Sequence, residues 1–276
     1  MFENIIGHEA NKKFLHDSVD NDKISHAYLF VGQKGIGKSL IAKEFSKEIL
    51  KTENLNSCPD FKYITKKEDK KDIVIEQIRK DLIDDVYLAP ISTDKKVYII
   101  DEAENLNIAS QNALLKTLEE PPTYVCIILV SSNISSFLPT ILSRVDIVNF
   151  CNIEDDELNK FIIDKYKTKI DDNLLSFIDG SIGQAVNIIE NNLQEVYTNI
   201  NKLFEYIINK DVISTLKMLE TTKFDNNLLD YLEFLLYKNG KIISTKFVER
   251  AKNRLKMNGN YDIVIDNMII NIIDTL

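Results

Sequence analysis

The chain has 276 residues, with 34 lysines and arginines against 43 aspartates and glutamates, and a formal net charge of −9. Its 44% hydrophobic and 28% charged residues exclude a mainly disordered or fibrous protein. The longest apolar run, residues 124–130, is far shorter than the ~20 residues of a membrane span. The N-terminus lacks the apolar core of a signal peptide. We therefore expect a cytoplasmic protein of about two domains, without a membrane partner.

The charge and the cysteines exclude two further classes of protein. A net negative charge argues against a protein that holds nucleic acid mainly by its own charge. Cys58, Cys126 and Cys151 are far apart in the sequence, so no pair has the spacing of metal ligands, and we predict no zinc site. Cys126 lies in an apolar run and is expected to be buried. The basic stretch 62–71 is interpreted as a solvated loop.

The region before Pro139 predicts an α/β fold. Short apolar runs predict the strands of a parallel sheet covered on both faces. These runs are AYLFV (27–31), IVI (73–75), VYII (97–100), VCIILV (125–130) and DIVNF (146–150). Residues 107–119 predict a helix that Pro121 and Pro122 stop. Strands that alternate with helices predict a doubly wound parallel sheet.

The region after Pro139 contains no proline and has a helical pattern throughout. Residues 154–192 predict three short helices separated near Gly180 and Gly183, and residues 195–276 predict about five more. One face of the last helix is apolar and is expected to be core; it carries Ile265, Ile269, Ile272 and Leu276.

A phosphate-binding motif joins the first predicted strand to a predicted helix. Residues Gly32 to Ser39 match G-x-x-x-x-G-K-S in full. Gly32, Gly35 and Gly37 let backbone N–H groups converge on a phosphate, and the helix N-terminus favours negative charge. Lys38 would reach the β- and γ-phosphates, and Ser39 would be a ligand of Mg²⁺. The motif predicts a site for ATP or ADP with Mg²⁺.

Four polar residues near other strands are candidates for the same chemistry. Asp101 and Glu102 follow a strand at the end where open α/β sheets bind ligands. Asp101 would hold Mg²⁺ through water, and Glu102 would polarise the attacking water. Asn133 is a candidate γ-phosphate sensor, or else a helix cap or Asx turn. Arg144, one of four arginines, is a candidate arginine finger for a neighbouring subunit, or else a surface ion pair.

Five segments in this order carry a family resemblance: FENIIGHE, HAYLFVGQKGIGKS, VYIIDEAENLN, ASQNALLKTLEEPP and LPTILSR. Together they resemble the AAA+ clamp-loader subunits of bacterial DNA polymerase III, closely over residues 1–150 and more weakly through residue 193. The resemblance implies a RecA-like nucleotide-binding domain at 1–152, a helical lid at 153–193 and a helical collar at 194–276. It also implies that Arg144 acts in trans on a neighbour's ATP.

The resemblance further implies a hetero-pentameric ring with gamma/tau and delta subunits, which loads the sliding clamp on primed DNA. Three departures from the gamma/tau motor resemble the delta-prime type, the largely rigid stator. Val145 replaces the cysteine of the Ser-Arg-Cys motif, Gly183 stands where the motor has its sensor-2 arginine, and the four-cysteine zinc module is missing. We therefore expect weak or absent hydrolysis. A gamma/tau-like motor is the alternative, and an unrelated P-loop kinase or transport ATPase ranks last.

Overall fold

The computed structural model describes residues 2, 5–67, 70 and 72–276. The chain divides into two compact units. One comprises Met1–Phe161 with Gly180–Gly183, and the other comprises Ile162–Asp179 with Gln184–Leu276. The predicted domain boundaries near residues 152 and 193 stay predictions.

A five-stranded sheet in the order β2-β3-β4-β1-β5 forms the centre of the first unit. Its strands are β1 (Ala27–Val31), β2 (Phe61–Ile64), β3 (Lys96–Ile100), β4 (Val125–Ser131) and β5 (Asp146–Asn149). Strands β3 and β4 are buried at every position, as continuous apolar runs between two helical layers should be. Because every pair is parallel, the carboxyl ends of all five strands lie along one edge.

Helices cover both faces of this sheet. They are α1 (Glu9–Asp20), α2 (Lys38–Leu50), α3 (Ile75–Ile78), α4 (Asp84–Val86), α5 (Ile108–Glu119) and α6 (Pro139–Leu142), with a π-helical stretch, Arg79–Ile83, between α3 and α4. Phe45 of α2 belongs to the core on one face, and Leu114 of α5 to the core on the other. Helix α5 begins where the Asn107 side chain accepts a hydrogen bond from Ser110 N at 2.9 Å, a typical N-cap.

Four of the predicted strands are confirmed to within one residue at each end, and Cys126 is buried as expected. The strand predicted at 73–75 is wrong, because Ile73 forms only an isolated bridge and α3 starts at Ile75. Strand β2 instead begins at Phe61 and includes the first three residues of the stretch 62–71, which was interpreted as a loop. Only one of its four residues, Ile64, is buried, so this edge strand has almost no apolar pattern. Residues 68, 69 and 71 of that stretch lie outside the described residues.

The helices after the sheet agree with the predicted pattern in number, but Gly183 lies inside a helix, Ile182–Glu190, and does not separate two helices as predicted. Three short ones, α7 (Asp155–Tyr166), α8 (Asp172–Ile178) and α9 (Ile182–Glu190), precede five others, α10 (Gln194–Ile208), α11 (Val212–Leu219), α12 (Asn226–Lys238), α13 (Ile242–Lys256) and α14 (Tyr261–Thr275). In α14, Ile265, Ile269 and Ile272 are buried, which confirms these three residues as core, whereas Leu276 follows the helix and is half-buried. Among the described residues, no helix is long and apolar enough to cross a membrane.

Candidate functional site

The glycine-rich loop joins β1 to α2 at the carboxyl edge of the sheet, as the motif predicts. Gly35 and Gly37 have φ values of +83° and +101°, which residues with a Cβ rarely adopt. These two conformations let the loop turn back over the start of α2. Its N–H groups and the positive end of the helix therefore face the same space, an arrangement that suits a phosphate.

Lys38, the first residue of α2, is only 6% exposed. Its Nζ donates hydrogen bonds to the carbonyl oxygens of Gly32 and Gln33, at 2.7 and 2.6 Å. Burial lowers the pKa of Lys38, because a charged group loses solvation there. No carboxylate in the described part of the chain contacts this ammonium group. A buried cation held only by neutral oxygens fits a site in which a polyphosphate supplies the counter-charge.

Asp101 follows β3 and faces the start of α2. Ser39 Oγ donates a 2.8 Å hydrogen bond to Asp101 Oδ2, and Glu102 N donates a 2.9 Å bond to Oδ1. Tyr63 OH also donates to Oδ2. Hydroxyl and carboxylate oxygens are the ligands that Mg²⁺ prefers, so Ser39 and Asp101 fit a nucleotide-bound magnesium ion. The motif predicted Ser39, and the position after a predicted strand indicated Asp101, but Tyr63 was missed because β2 was missed.

Glu102 lies across from the glycine-rich loop. Its Oε1 accepts a 2.7 Å hydrogen bond from Nζ of Lys34, a residue of that loop. This hydrogen bond is the main cause that raises the pKa of Lys34. Since the Lys34 side chain is 80% exposed, the pair adds little stability. The carboxylate that was predicted to polarise water is thus engaged with the loop itself.

Asn133 follows β4, which lies between β3 and β1 in the sheet, so it lies at the same edge as the loop. Its Oδ1 accepts a 2.9 Å hydrogen bond from Ser135 N and caps a short 3₁₀ turn. The Asn133 oxygen therefore forms an Asx-type cap. This cap was the alternative to a role as phosphate sensor. Whether Asn133 senses phosphate stays a prediction.

Glu104 is a further carboxylate at this edge that sequence reasoning missed. It accepts a 2.6 Å hydrogen bond from Ser132 Oγ, in the loop after β4. Burial alone would raise the pKa of Glu104, but the hydrogen bonds from Ser132 and its neighbours hold that pKa below its usual value. The only signal in the sequence is its position two residues beyond Glu102. Glu104 adds negative charge near Lys38, which offsets part of the lowering of the Lys38 pKa by burial.

Arg144 lies at the opposite, amino edge of the sheet, two residues before β5. Its guanidinium contacts Glu119 Oε1 at 2.8 Å and two oxygens of its own turn at 2.9 Å. In the register of β1 and β5, Asp146 lies opposite Tyr28, so Arg144 is level with the residues before β1. The glycine-rich loop follows the end of β1. At about 3.3 Å per residue, the two sites are about 20 Å apart along the strands.

The segment Gly180–Gly183 contacts the glycine-rich loop within the first unit. Gly183 N donates to Gly35 O at 2.8 Å, and Ser181 Oγ donates to Lys34 O at 3.1 Å. A Cβ on Gly183 would lie 3.2 Å from both Cα and O of Gly35. A larger residue at position 183 would therefore have to displace the loop.

Residues 7–154, just over half of the chain, match a family described as "DNA polymerase III, delta subunit". The chain belongs to this family. It is 32% identical to DNA polymerase III subunit tau of Bacillus subtilis, over 87% of this chain and 46% of that protein. It is 28% identical to subunit gamma of Buchnera aphidicola subsp. Acyrthosiphon pisum, over 92% of this chain and 83% of that protein. The chain thus spans about half the length of the tau relative.

Solved structures of other proteins share the fold of this family member. A DNA polymerase III gamma subunit-related protein from Thermotoga maritima has a TM-score of 0.62 at 17% identity, over 95% of this chain and 99% of that chain. The RuvB Holliday junction branch migration motor of the same organism has a TM-score of 0.52 at 19% identity, over 93% and 84%. The chain has the AAA+ RecA-like fold with a C-terminal helical region, as predicted.

Proposed function

We propose that this chain is a delta-prime-type subunit of the DNA polymerase III clamp loader, the stator of the ring that loads the sliding clamp on primed DNA. In this role the chain binds ATP or ADP with Mg²⁺ but hydrolyses it weakly or not at all. Its partners are the gamma/tau and delta subunits, the sliding clamp and, indirectly, DNA. Its contribution to hydrolysis is Arg144, which acts on the nucleotide of a neighbouring subunit.

The position of Arg144 is the observation that carries this proposal. The backbone at Arg144 lies about 20 Å along the strands from the glycine-rich loop of the same chain, which is too far for its side chain to act there. It is also oriented, because Glu119 and two oxygens of its turn hold the guanidinium. About a third of the side chain stays exposed. An oriented, accessible arginine suits bidentate contact with phosphate oxygens that another subunit presents.

The contacts of the glycine-rich loop support nucleotide binding in the chain itself. Lys38 would exchange its two carbonyl partners for β- and γ-phosphate oxygens. Ser39 would hold Mg²⁺ directly, and Asp101 would hold it through water. When bound, Mg²⁺ neutralises charge on the two terminal phosphates. The nucleotide therefore would bind at the carboxyl edge, where α2 begins.

Two other contacts support weak hydrolysis. Gly183 brings no side chain to the loop, and its N–H is bonded to Gly35 O, so a cationic group that would reach the γ-phosphate from this position is missing. Glu102 must break its contact with Lys34 before it can polarise a water molecule. Both features reduce the stabilisation of the charge that develops in phosphoryl transfer.

A gamma/tau-like motor ATPase is the second candidate. Two observations favour it: the relatives described above are tau and gamma subunits, and every residue of the G-x-x-x-x-G-K-S motif is present. In this case Glu102 would activate water in the chain's own site, and another group would take the role of the arginine that is missing at position 183.

Nucleotide binding and steady-state ATP hydrolysis by the purified chain alone test the two candidates, with Lys38→Ala as the control. Binding without turnover is the result expected for the stator. Turnover that Lys38→Ala abolishes would overturn the stator proposal in favour of the motor. If ATP and ADP do not bind at all, the nucleotide part of the proposal is wrong, and only the role of Arg144 in a reconstituted ring remains to be measured.

A further inference from the structure

Tyr63, on strand β2, contacts Asp101, the residue proposed to hold Mg²⁺ through water. It lies on β2 opposite Ile99 of β3, and Asp101 follows two residues later on the same face of the sheet. Tyr63 is 37% exposed, so core packing does not fix it. Its ring lies beneath Lys43 of α2, whose Nζ is 4.3 Å from the ring centroid. The hydroxyl then donates to Asp101 Oδ2.

This hydrogen bond takes one of the acceptor positions of the Asp101 carboxylate, which magnesium-bound water could otherwise use. An ionised carboxylate offers about four acceptor positions on its two oxygens. At Asp101, Ser39 and Tyr63 donate to Oδ2, and Glu102 N donates to Oδ1. The first and last bonds are compatible with bound Mg²⁺, since the Ser39 oxygen can ligate the metal while its hydrogen points to Asp101. With the Tyr63 bond added, only about one of the four acceptor positions remains, on Oδ1, so Tyr63 reduces the capacity of Asp101 to accept hydrogen bonds from magnesium-bound water.

The hydroxyl of Tyr63 is the donor in its contact with Asp101. A neutral phenol that donates to Asp101 adds no negative charge to the site, so it cannot replace the carboxylate as a partner of the hydrated cation.

We propose that Tyr63 competes with the hydration shell of Mg²⁺ for Asp101, and that it thereby makes nucleotide binding by this chain less dependent on magnesium. The inference rests on the nucleotide site proposed above and deepens it. Tyr63 is a positioning residue, since it acts through Asp101. A weaker hold on Mg²⁺ at Asp101 would also reduce the charge stabilisation that the ion supplies in phosphoryl transfer, as expected of a subunit that holds its nucleotide without turning it over.

Equilibrium binding of a fluorescent ATP analogue to the purified full chain tests this inference. The dissociation constant is measured with excess Mg²⁺ and again with EDTA, and the ratio of the two values is compared between variants. Tyr63→Phe removes the hydroxyl but keeps the ring beneath Lys43. Tyr87→Phe is the matched control, because Tyr87 is 48% exposed and lies two residues after Asp85, which contacts Lys96 at the amino end of β3.

In Tyr63→Phe, magnesium should improve affinity about tenfold more than in the wild type, the effect of one hydrogen bond to a charged group. Tyr87→Phe should match the wild type. Titration of the chain with ADP and Mn²⁺, followed by electron paramagnetic resonance, should show tighter metal binding in Tyr63→Phe. Unchanged ratios and unchanged Mn²⁺ affinity, with nucleotide binding intact, overturn this inference alone. If neither the wild type nor Tyr63→Phe binds nucleotide in either buffer, the proposed site is wrong and the inference falls with it.

Discussion

The two edges of the sheet hold their functional side chains in different ways. At the carboxyl edge, the candidate groups bind one another: Lys38 binds the loop carbonyls, Glu102 binds Lys34, and Asp101 accepts three hydrogen bonds. At the amino edge, Arg144 is oriented by oxygens but remains partly exposed. We therefore expect the carboxyl edge to bind a ligand without turnover, whereas the amino edge exposes a cation. Four variants test whether the two edges have these separate roles.

The largest effect is expected for Arg144→Ala. Loss of an arginine that stabilises phosphoryl transfer costs about 10³-fold or more at the site it serves. DNA-stimulated ATP hydrolysis by the reconstituted ring should therefore fall strongly, while size-exclusion chromatography shows normal assembly. Arg250→Ala, which removes an exposed arginine from α13, should leave turnover unchanged. Equal turnover by Arg144→Ala and wild-type rings would refute the role of Arg144 in trans.

The next largest effect is expected for Lys38→Met. Lys38 is buried beside the proposed phosphate site, and loss of two charge-assisted contacts to a polyphosphate should weaken nucleotide binding about 100-fold. Lys34→Met, in the same loop, removes a side chain that is 80% exposed, so it should weaken binding less than about fivefold. Isothermal titration calorimetry with ADP and Mg²⁺ measures both. Similar losses in the two variants would show that the loop charge in general, and not Lys38 in particular, holds the phosphates.

A smaller effect is expected for Gly183→Arg. Because a Cβ would lie 3.2 Å from two atoms of Gly35, the new side chain should push the loop aside and lower the free energy of unfolding by about 1 kcal/mol. ATP turnover by the isolated chain should stay undetectable, since the added guanidinium is not positioned. Urea denaturation and a steady-state ATPase assay measure these two quantities. A gain of turnover would show that this glycine alone separates the chain from a motor.

The smallest functional effect is expected for Asp60→Asn, at the amino edge. The buried Asp60 carboxylate accepts hydrogen bonds from backbone N–H groups of Ile91, Ser92 and Thr93. Burial alone would raise its pKa, but these bonds hold the pKa below its usual value. Asp60→Asn should cost about 2 kcal/mol of unfolding free energy near pH 7 and leave nucleotide affinity unchanged.

The pH dependence of that loss follows from the direction of the pKa shift. Because the pKa of Asp60 is lower in the folded state, its ionised carboxylate stabilises the folded protein at pH values above the unfolded pKa of about 3.9. This stabilisation is lost as the pH falls through the folded pKa. Thermal unfolding of the wild type and Asp60→Asn should therefore converge at acidic pH. A difference that stays constant from pH 7 to pH 3 would contradict the ionised state of Asp60.

The sequence by itself determined the parts of this protein that local pattern specifies. Continuous apolar runs defined four strands, and a loop of fixed spacing located Lys38 and Ser39. These features are readable because a buried parallel strand and a phosphate loop each need particular residues at consecutive positions.

Only the tertiary structure decided which distant residues meet. The edge strand β2 has only one buried side chain, a pattern too weak to detect in the sequence. The contact of Tyr63 with Asp101 depends on this strand and was therefore missed as well. The closeness of Gly183 to Gly35, and the separation of Arg144 from the loop, depend on strand order and on the path of the chain between strands. Long-range contacts of this kind follow from sheet register and packing, which local periodicity does not encode.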